Sequence, residues 1–235
     1  MINREFIEKI EEMSKPNFTE INGAFYSDKP LNRIEIPKIM PFERGKTLNS
    51  IVDYCNQKID KIGEIVIHVS DYRTVTVYAG LDKDNKRSVL LQVKAPESYL
   101  EDYVGIRLDS ETFNTFLQTN FVITENLLNL LSITSHLATN NSIKTSDDGM
   151  SQTAVVETSV VSKEKKEIKN PITLRPYRTF AEIEQPDSMF ILRLHEGNQC
   201  KLEFVKNDYW QIDAITKIKE YLNKKIIENK VSIIG

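Results

Sequence analysis

Histidine is scarce in this sequence, with three residues in 235. His68, His136 and His195 are joined by no HxH, HExxH or HxxE pattern, so a histidine-based metal or acid–base site has little to be built from. Cysteine is scarcer still. Cys55 and Cys200 lie far apart without CxxC spacing, which argues against zinc and against a disulfide framework. Two buried thiols in a reducing compartment are expected. The eight glycines form no GxGxxG, P-loop or GxSxG, so no phosphate-cradling loop or nucleophile elbow is written here. No cofactor or metal is expected. No window approaches the ~18 apolar residues of a membrane span, and the opening MINREFIEKIEEMSKP is charged throughout, unlike a secretory signal. The chain reads as cytoplasmic, with no membrane partner. Neither sign of charge dominates: the formal net charge of −3 and a pI near 5.8 argue against a general phosphate-binding surface while leaving room for a local basic patch.

What is present is an ordinary globular balance, 40% apolar and 28% charged, which supports a real core. Residues 3–14 place Phe6, Ile7, Ile10 and Met13 on one helical stripe, ended by Pro16; residues 16–33 read as a loop or arm. Arg33–Phe42 alternates but is cut by Pro37 and Pro41, as an edge strand would be. Thr47 caps a helix with Leu48, Ile51, Val52, Cys55, Ile59 and Ile62 on one face, closed by Gly63. Strands follow at 64–69, 72–81 and 87–94, the last two joined by the turn DKDNK. Residues 95–108 are irregular or briefly helical. Asp109 or Ser110 starts a helix burying Phe113, Phe116 and Leu117; Thr124 starts another burying Leu127, Leu128, Leu131 and either Ile133 or Leu137. Residues 140–152 read as a polar loop, 153–162 as a strand, and 163–169 as a solvated turn or strand end. A strand at 200–205 leads into a final helix with Ile212, Ile215, Ile218, Leu222 and Ile226 inward. The sum is an α+β fold, antiparallel sheets packed against amphipathic helices behind a short N-terminal helical arm. Residues 1–32 form the arm and 33–235 the main domain; an internal boundary, if there is one, falls within 97–152.

The stretch Asn170–Glu196 is the chain's distinctive passage. It sets Pro171, Pro176 and Pro186 among Arg175, Arg178, Arg193, Glu182, Glu184 and Asp187. The simplest reading is a set of salt bridges that fix a stiff loop, because charge clusters are usually solvated faces. A proline-stiffened loop bearing Arg and aromatic residues also makes a good interface anchor, since little entropy is lost on binding. The candidate interface residues are Arg175, Tyr177, Arg178, Phe180, Glu182, Glu184 and Arg193. Basic residues interleaved with aromatics, namely Tyr72, Arg73 and Tyr78 on one strand and Tyr177, Arg178 and Phe180 here, loosely fit a nucleic-acid platform.

The core PYRTFAEIEQPDSMFILRL resembles the C-terminal signature of the YfdQ-like family of phage and prophage proteins of unknown function. MPFERGKTLNSIVDYCNQK, a strand leading into a helix, and YRTVTVYAGLDKDNKRSVLLQVK, a strand pair, fit that family in order. The likeness spans roughly residues 34–228. It implies a phage or prophage protein working in the bacterial cytoplasm and implies no catalytic residues. The leading expectation is therefore a non-enzymatic, homo-oligomeric protein that binds a bacterial or phage protein, in host-defence modulation or in support of phage replication or recombination. A nucleic-acid-binding accessory protein is the rival, and an enzyme with a concealed hydrolytic site the third reading.

Overall fold

A computed structural model describes residues 3–22, 24–30, 39–60, 62–139, 145–147, 151–157, 163–195, 197–228 and 230–235. The chain divides into two compact units, Met1–Lys38 and Ile39–Gly235. The fold is α+β.

The first unit holds helix α1 (Arg4–Ser14), β1 (Phe18–Ile21) and β2 (Ala24–Ser27). Where the sequence reading has a loop, the two strands pair as a hairpin from Phe18↔Ser27 to Ile21↔Ala24. Asn22 sits at the turn with φ +54, a left-handed conformation that Asn tolerates and that a two-residue hairpin turn requires. The open end is closed by Asp28, whose two carboxylate oxygens accept from the Asn17 backbone N–H and side-chain amide, each at 2.8 Å. These bonds hold the Asp28 carboxyl below its ordinary pKa.

The second unit runs β3 (Phe42–Gly45), α2 (Leu48–Gln57), β4 (Ile65–Val69), β5 (Thr74–Ala79), β6 (Val89–Lys94), β7 (Arg107–Asp109), α3 (Ser110–Asn120), α4 (Glu125–Thr139), β8 (Thr145–Asp147), β9 (Ser151–Glu157), β10 (Lys163–Lys169), β11 (Ile172–Leu174), β12 (Ser188–His195), β13 (Gln199–Phe204), α5 (Tyr209–Lys225) and β14 (Val231–Ile234). Two sheets carry the cores. The first has the order β14-β4-β5-β6-β3, antiparallel at its centre, with each outer strand parallel to its neighbour. The second, β11-β12-β13-β7, is antiparallel throughout. A further, three-stranded sheet has the order β10-β9-β8 and is antiparallel.

Alternation dictates which faces are buried. Ile65, Ile67 and Val69 of β4 and Val75 and Val77 of β5 turn inward, where Leu48, Ile51 and Cys55 of α2 and Ile218 and Leu222 of α5 join them. The second core joins Phe113, Phe116 and Leu117 of α3 and Leu127 and Leu130 of α4 to Phe190 and Leu192 of β12 and Cys200 of β13. Its rings contact edge to face, with Phe121 5.5 Å from both Phe116 and Phe190, and Phe204 5.2 Å from Phe190. Each such pair adds about 0.5–1.5 kcal/mol beyond burial alone. The chain is nested: β3–β6 and α5–β14 build the first sheet, and residues 95–205 lie between them in sequence.

Several expectations change. Helix α2 stops at Gln57, not Gly63, with Lys58 left-handed at φ +52. The Lys58 ammonium reaches Glu228 at 2.6 Å, and Asn56 bonds Lys225 O and Ile227 N, so tertiary contacts end the helix. Ile59 is exposed in consequence. Leu128 and Ile212 are also exposed, because Leu127 and Leu130, and Ala214 and Ile218, take the inward positions. Thr145–Asp147 and Lys163–Lys169 are strands where a loop and a turn or strand end are expected. β7 emerges from the irregular segment, and β14 follows the final helix and pairs in parallel with β4. Residues 33–38 and 158–162 of the expected strands, and the side chains of His136 and Leu137, lie outside the described residues.

Candidate functional site

The loop 175–187 between β11 and β12 is organised by one buried side chain. Gln185 Oε1 accepts from the backbone N–H of Arg178 at 3.0 Å and of Thr179 at 3.2 Å, while its Nε2 donates to Phe180 O at 2.9 Å and Ile183 O at 3.5 Å. Further bonds tie the loop outward. Tyr177 N–H donates to Asn120 O at 2.9 Å, Val122 N–H to Arg175 O at 2.8 Å, and Ser98 Oγ to Tyr177 O at 3.0 Å. Thr179 Oγ1 donates to Tyr72 O. Phe180 and Ile183 enter the first core, and Leu174 just before the loop enters the second. The proline-rich stretch is thus the seam between the two cores.

The expected salt bridges form around one arginine. Arg175 Nη1 lies 2.6 Å from Glu184 Oε1 and its Nε 2.9 Å from Asp187 Oδ1; Lys217 extends the cluster to Glu184 at 3.6 Å and Asp213 at 2.9 Å. Glu182 goes elsewhere. Its carboxylate accepts from Asn49 N–H at 3.2 Å in the first turn of α2, where a negative charge favours the helix. Phe180 is fully buried and presents nothing to a partner, which removes it from the candidate interface. Tyr177 remains half-exposed, and Arg193 lies half-buried on β12 opposite Lys201.

Arg178 departs furthest from the expectation. It is only 6% exposed, so it is no surface anchor, and among the described residues it forms no ion pair. Its guanidinium carbon lies 3.6 Å from the centre of the Trp210 ring and 5.5 Å from that of Phe204, and Nη2 donates to Ser188 Oγ. Nε is buried without a partner. Burial lowers its pKa to about 10. Tyr72 meets Trp210 edge-on at 4.6 Å and fixes the stack from the other side of the sequence.

These residues line a cavity of about 660 Å³, together with Arg73, Lys206, Glu101 and Asp208. Arg73 repeats the pattern: its Nε is buried and unpartnered, and Nη2 reaches only Ala95 O at 3.4 Å. The fold therefore brings together Tyr72, Arg73 and Arg178, drawn from two segments more than a hundred residues apart. Tyr78, Tyr177 and Phe180 stay outside. Trp210 and Gln185 were not singled out by sequence; the chain's one tryptophan, placed at the start of a helix, was the available signal for the first.

Other chemistry-bearing groups sit apart. Both thiols are buried, and burial pushes Cys55 up to about 11 and Cys200 up to about 12, which keeps them protonated and unreactive at neutral pH. His195 is half-buried on β12 with Nε2 unpartnered; burial first, then nearby Arg107 and Lys201, lowers its pKa. Among the described residues no three His, Cys, Asp or Glu are placed to hold a metal ion, and no helix is long and apolar enough to cross a membrane.

In the first unit, α1 buries none of its residues. Its stripe of Phe6, Ile7, Ile10 and Met13 is 49–70% exposed, and the hairpin exposes Phe18, Ile21, Phe25 and Tyr26. Comparison with protein-family models, with curated proteins and with solved structures yields no match.

Proposed function

We propose that the chain is a non-enzymatic phage or prophage protein that acts in the bacterial cytoplasm by associating with protein, and that its first unit is the contact surface. The observation that carries this reading is the exposed apolar stripe of α1, in a unit whose β1–β2 hairpin also exposes aromatic and aliphatic residues. A contiguous apolar patch is unusual on a protein that works alone and marks an interaction surface. Phe, Ile and Met each contribute about 1.5–3 kcal/mol when taken fully from water; half-exposed as they stand, the four stripe residues offer about 3–6 kcal/mol to a partner. The likeness of PYRTFAEIEQPDSMFILRL to the YfdQ-like family supports the phage setting. A second copy and a host or phage protein are both suited to such a surface, in host-defence modulation or in support of replication or recombination.

The test is a full-length Ile7→Glu/Ile10→Glu variant compared with wild type by light scattering and by affinity capture from bacterial lysate treated with nuclease. The wild type is expected above the 27.1 kDa monomer mass, or to retain specific proteins. The variant is expected to lose both while unfolding in urea like the wild type. A monomeric wild type that captures nothing the variant does not also capture would sink the proposal.

A further inference from the structure

We propose that the cavity walled by Arg178 and Arg73 is a binding site for a terminal phosphate group carried by an organic molecule. Three features of the cavity lead there, none of them used by the association surface of the first unit.

The first is an unmatched buried cation. A guanidinium taken out of water loses its hydration, and proteins repay this with a carboxylate. Of the acids of the same loop, Glu184 and Asp187 are committed to Arg175 and Glu182 to the Asn49 N–H. Arg178 is left with Ser188 Oγ and the faces of Trp210 and Phe204, and with one N–H donor unsatisfied. An arginine serving only to pack would not need a charge here. The second feature is repetition: Arg73, whose Nε is likewise buried without a partner, lines the same cavity, as does Lys206. Two planar forks and an ammonium suit an oxyanion of more than one charge, and phosphate meets Arg bidentately. The third is size and a mixed lining. At about 660 Å³ the cavity far exceeds one phosphate and falls in the range of small-molecule sites. Glu101 and Asp208 face the remaining volume and accept from hydroxyl or amino groups.

The depth of Arg178 selects a terminal group. Only 6% of the residue is exposed, so an anion must project into the cavity, whereas a phosphate inside a polymer carries chain on both sides. The stacked Trp210 and the Tyr72 ring hold the guanidinium in one plane, which lowers the entropy lost on binding. Such an end group is found on a free nucleotide and on the 5′ end of a nucleic acid.

Binding is measured by calorimetry on the full chain with inorganic phosphate, adenosine 5′-monophosphate, succinate, and one short oligonucleotide with and without a 5′-phosphate. Adenosine monophosphate is expected to bind more tightly than inorganic phosphate, and the 5′-phosphorylated oligonucleotide at least tenfold more tightly than its unphosphorylated form if the natural source is a polymer end. Arg178→Met is expected to lose at least tenfold in affinity while its urea midpoint stays equal to or above wild type, because an apolar side chain replaces an unmatched charge. Arg73→Gln, on a separate strand end, is expected to lose affinity with the fold intact and serves if Arg178→Met misfolds. Succinate binding without phosphate binding would overturn the phosphate assignment. Equal binding of both oligonucleotides would exclude a polymer end as the source; adenosine monophosphate binding no more tightly than inorganic phosphate, no binding of any probe, or unchanged affinity in both variants would overturn the site.

Discussion

Replacing Gln185 by methionine keeps the volume of the side chain and removes its hydrogen bonding. Three backbone groups then lose their partners: the N–H of Arg178 and of Thr179, bonded at 3.0 and 3.2 Å, and the carbonyl of Ile183 at 3.5 Å; Phe180 O loses its 2.9 Å bond but keeps the Ile183 N–H at 3.4 Å. All three residues are buried, so water does not take over without opening the loop. An orphaned buried group costs about 1–3 kcal/mol; with two donors sharing one acceptor, the sum is about 3–5 kcal/mol. At an m-value of about 2–3 kcal/mol per molar urea, the midpoint should fall by about 1–2 M, and the Arg178 and Thr179 amides should exchange hydrogen faster than their neighbours. Gln185→Glu separates hydrogen bonding from volume. Its carboxylate still accepts from both N–H groups, but at neutral pH it turns a second acceptor toward Phe180 O and Ile183 O, so it too should destabilise. A Gln185→Met midpoint within about 0.3 M of wild type, with both amides still protected, would refute the claim that this side chain organises the loop.

Two more perturbations test the cores. Burial raises the pKa of Cys55 from 9.0 to about 11 and of Cys200 from 9.0 to about 12. The folded state therefore holds protons that the unfolded chain releases. The stability this confers is complete below pH 9 and is lost as pH rises from 9 toward those raised values, by about 1.4 kcal/mol per thiol for each pH unit. Urea midpoints under reducing conditions should fall between pH 8 and pH 10, and less steeply in a Cys55→Ala/Cys200→Ala variant; identical slopes would contradict the burial of both thiols. Phe190→Ala should destabilise by about 3–5 kcal/mol in the same assay, because the ring is fully buried between Phe121 and Phe204. A loss under 1 kcal/mol would show that the second core is not packed as described.

Elements whose cause is local were legible in the sequence. The α3 helix begins where Asp109 accepts from the N–H groups of Glu111 and Thr112, and it buries Phe113, Phe116 and Leu117, as the spacing predicts. Strands β4 to β6 stand close to their expected bounds because alternation and a polar turn are short-range signals. What was missed depends on partners distant in sequence. The end of α2 is set by Glu228, Lys225 and Ile227, and β14 is a strand because β4 offers an open edge. The β1–β2 hairpin is a different case, since Asn22 before Gly23 is itself a strong local turn signal. In the distinctive stretch, charge pairing around Arg175 was readable. The burial of Arg178 was not, because it needs Tyr72, Phe204 and Trp210 to arrive from three other segments.

The nesting of one sheet around the rest of the unit has a consequence for synthesis. Strands β4 and β5 leave the ribosome after α2, which can cover part of the face of Ile67 and Val77 but not the part that α5 covers. Ile218 follows Val77 by about 140 residues, which at roughly 5–20 residues per second is on the order of 10 s of translation. Phe180 and Ile183 arrive part-way through that interval and cover only part of the face. The nascent protein thus carries an incomplete, sticky sheet for most of its production, during which trigger-type chaperones or early aggregation compete for the same apolar surface that the last helix finally closes.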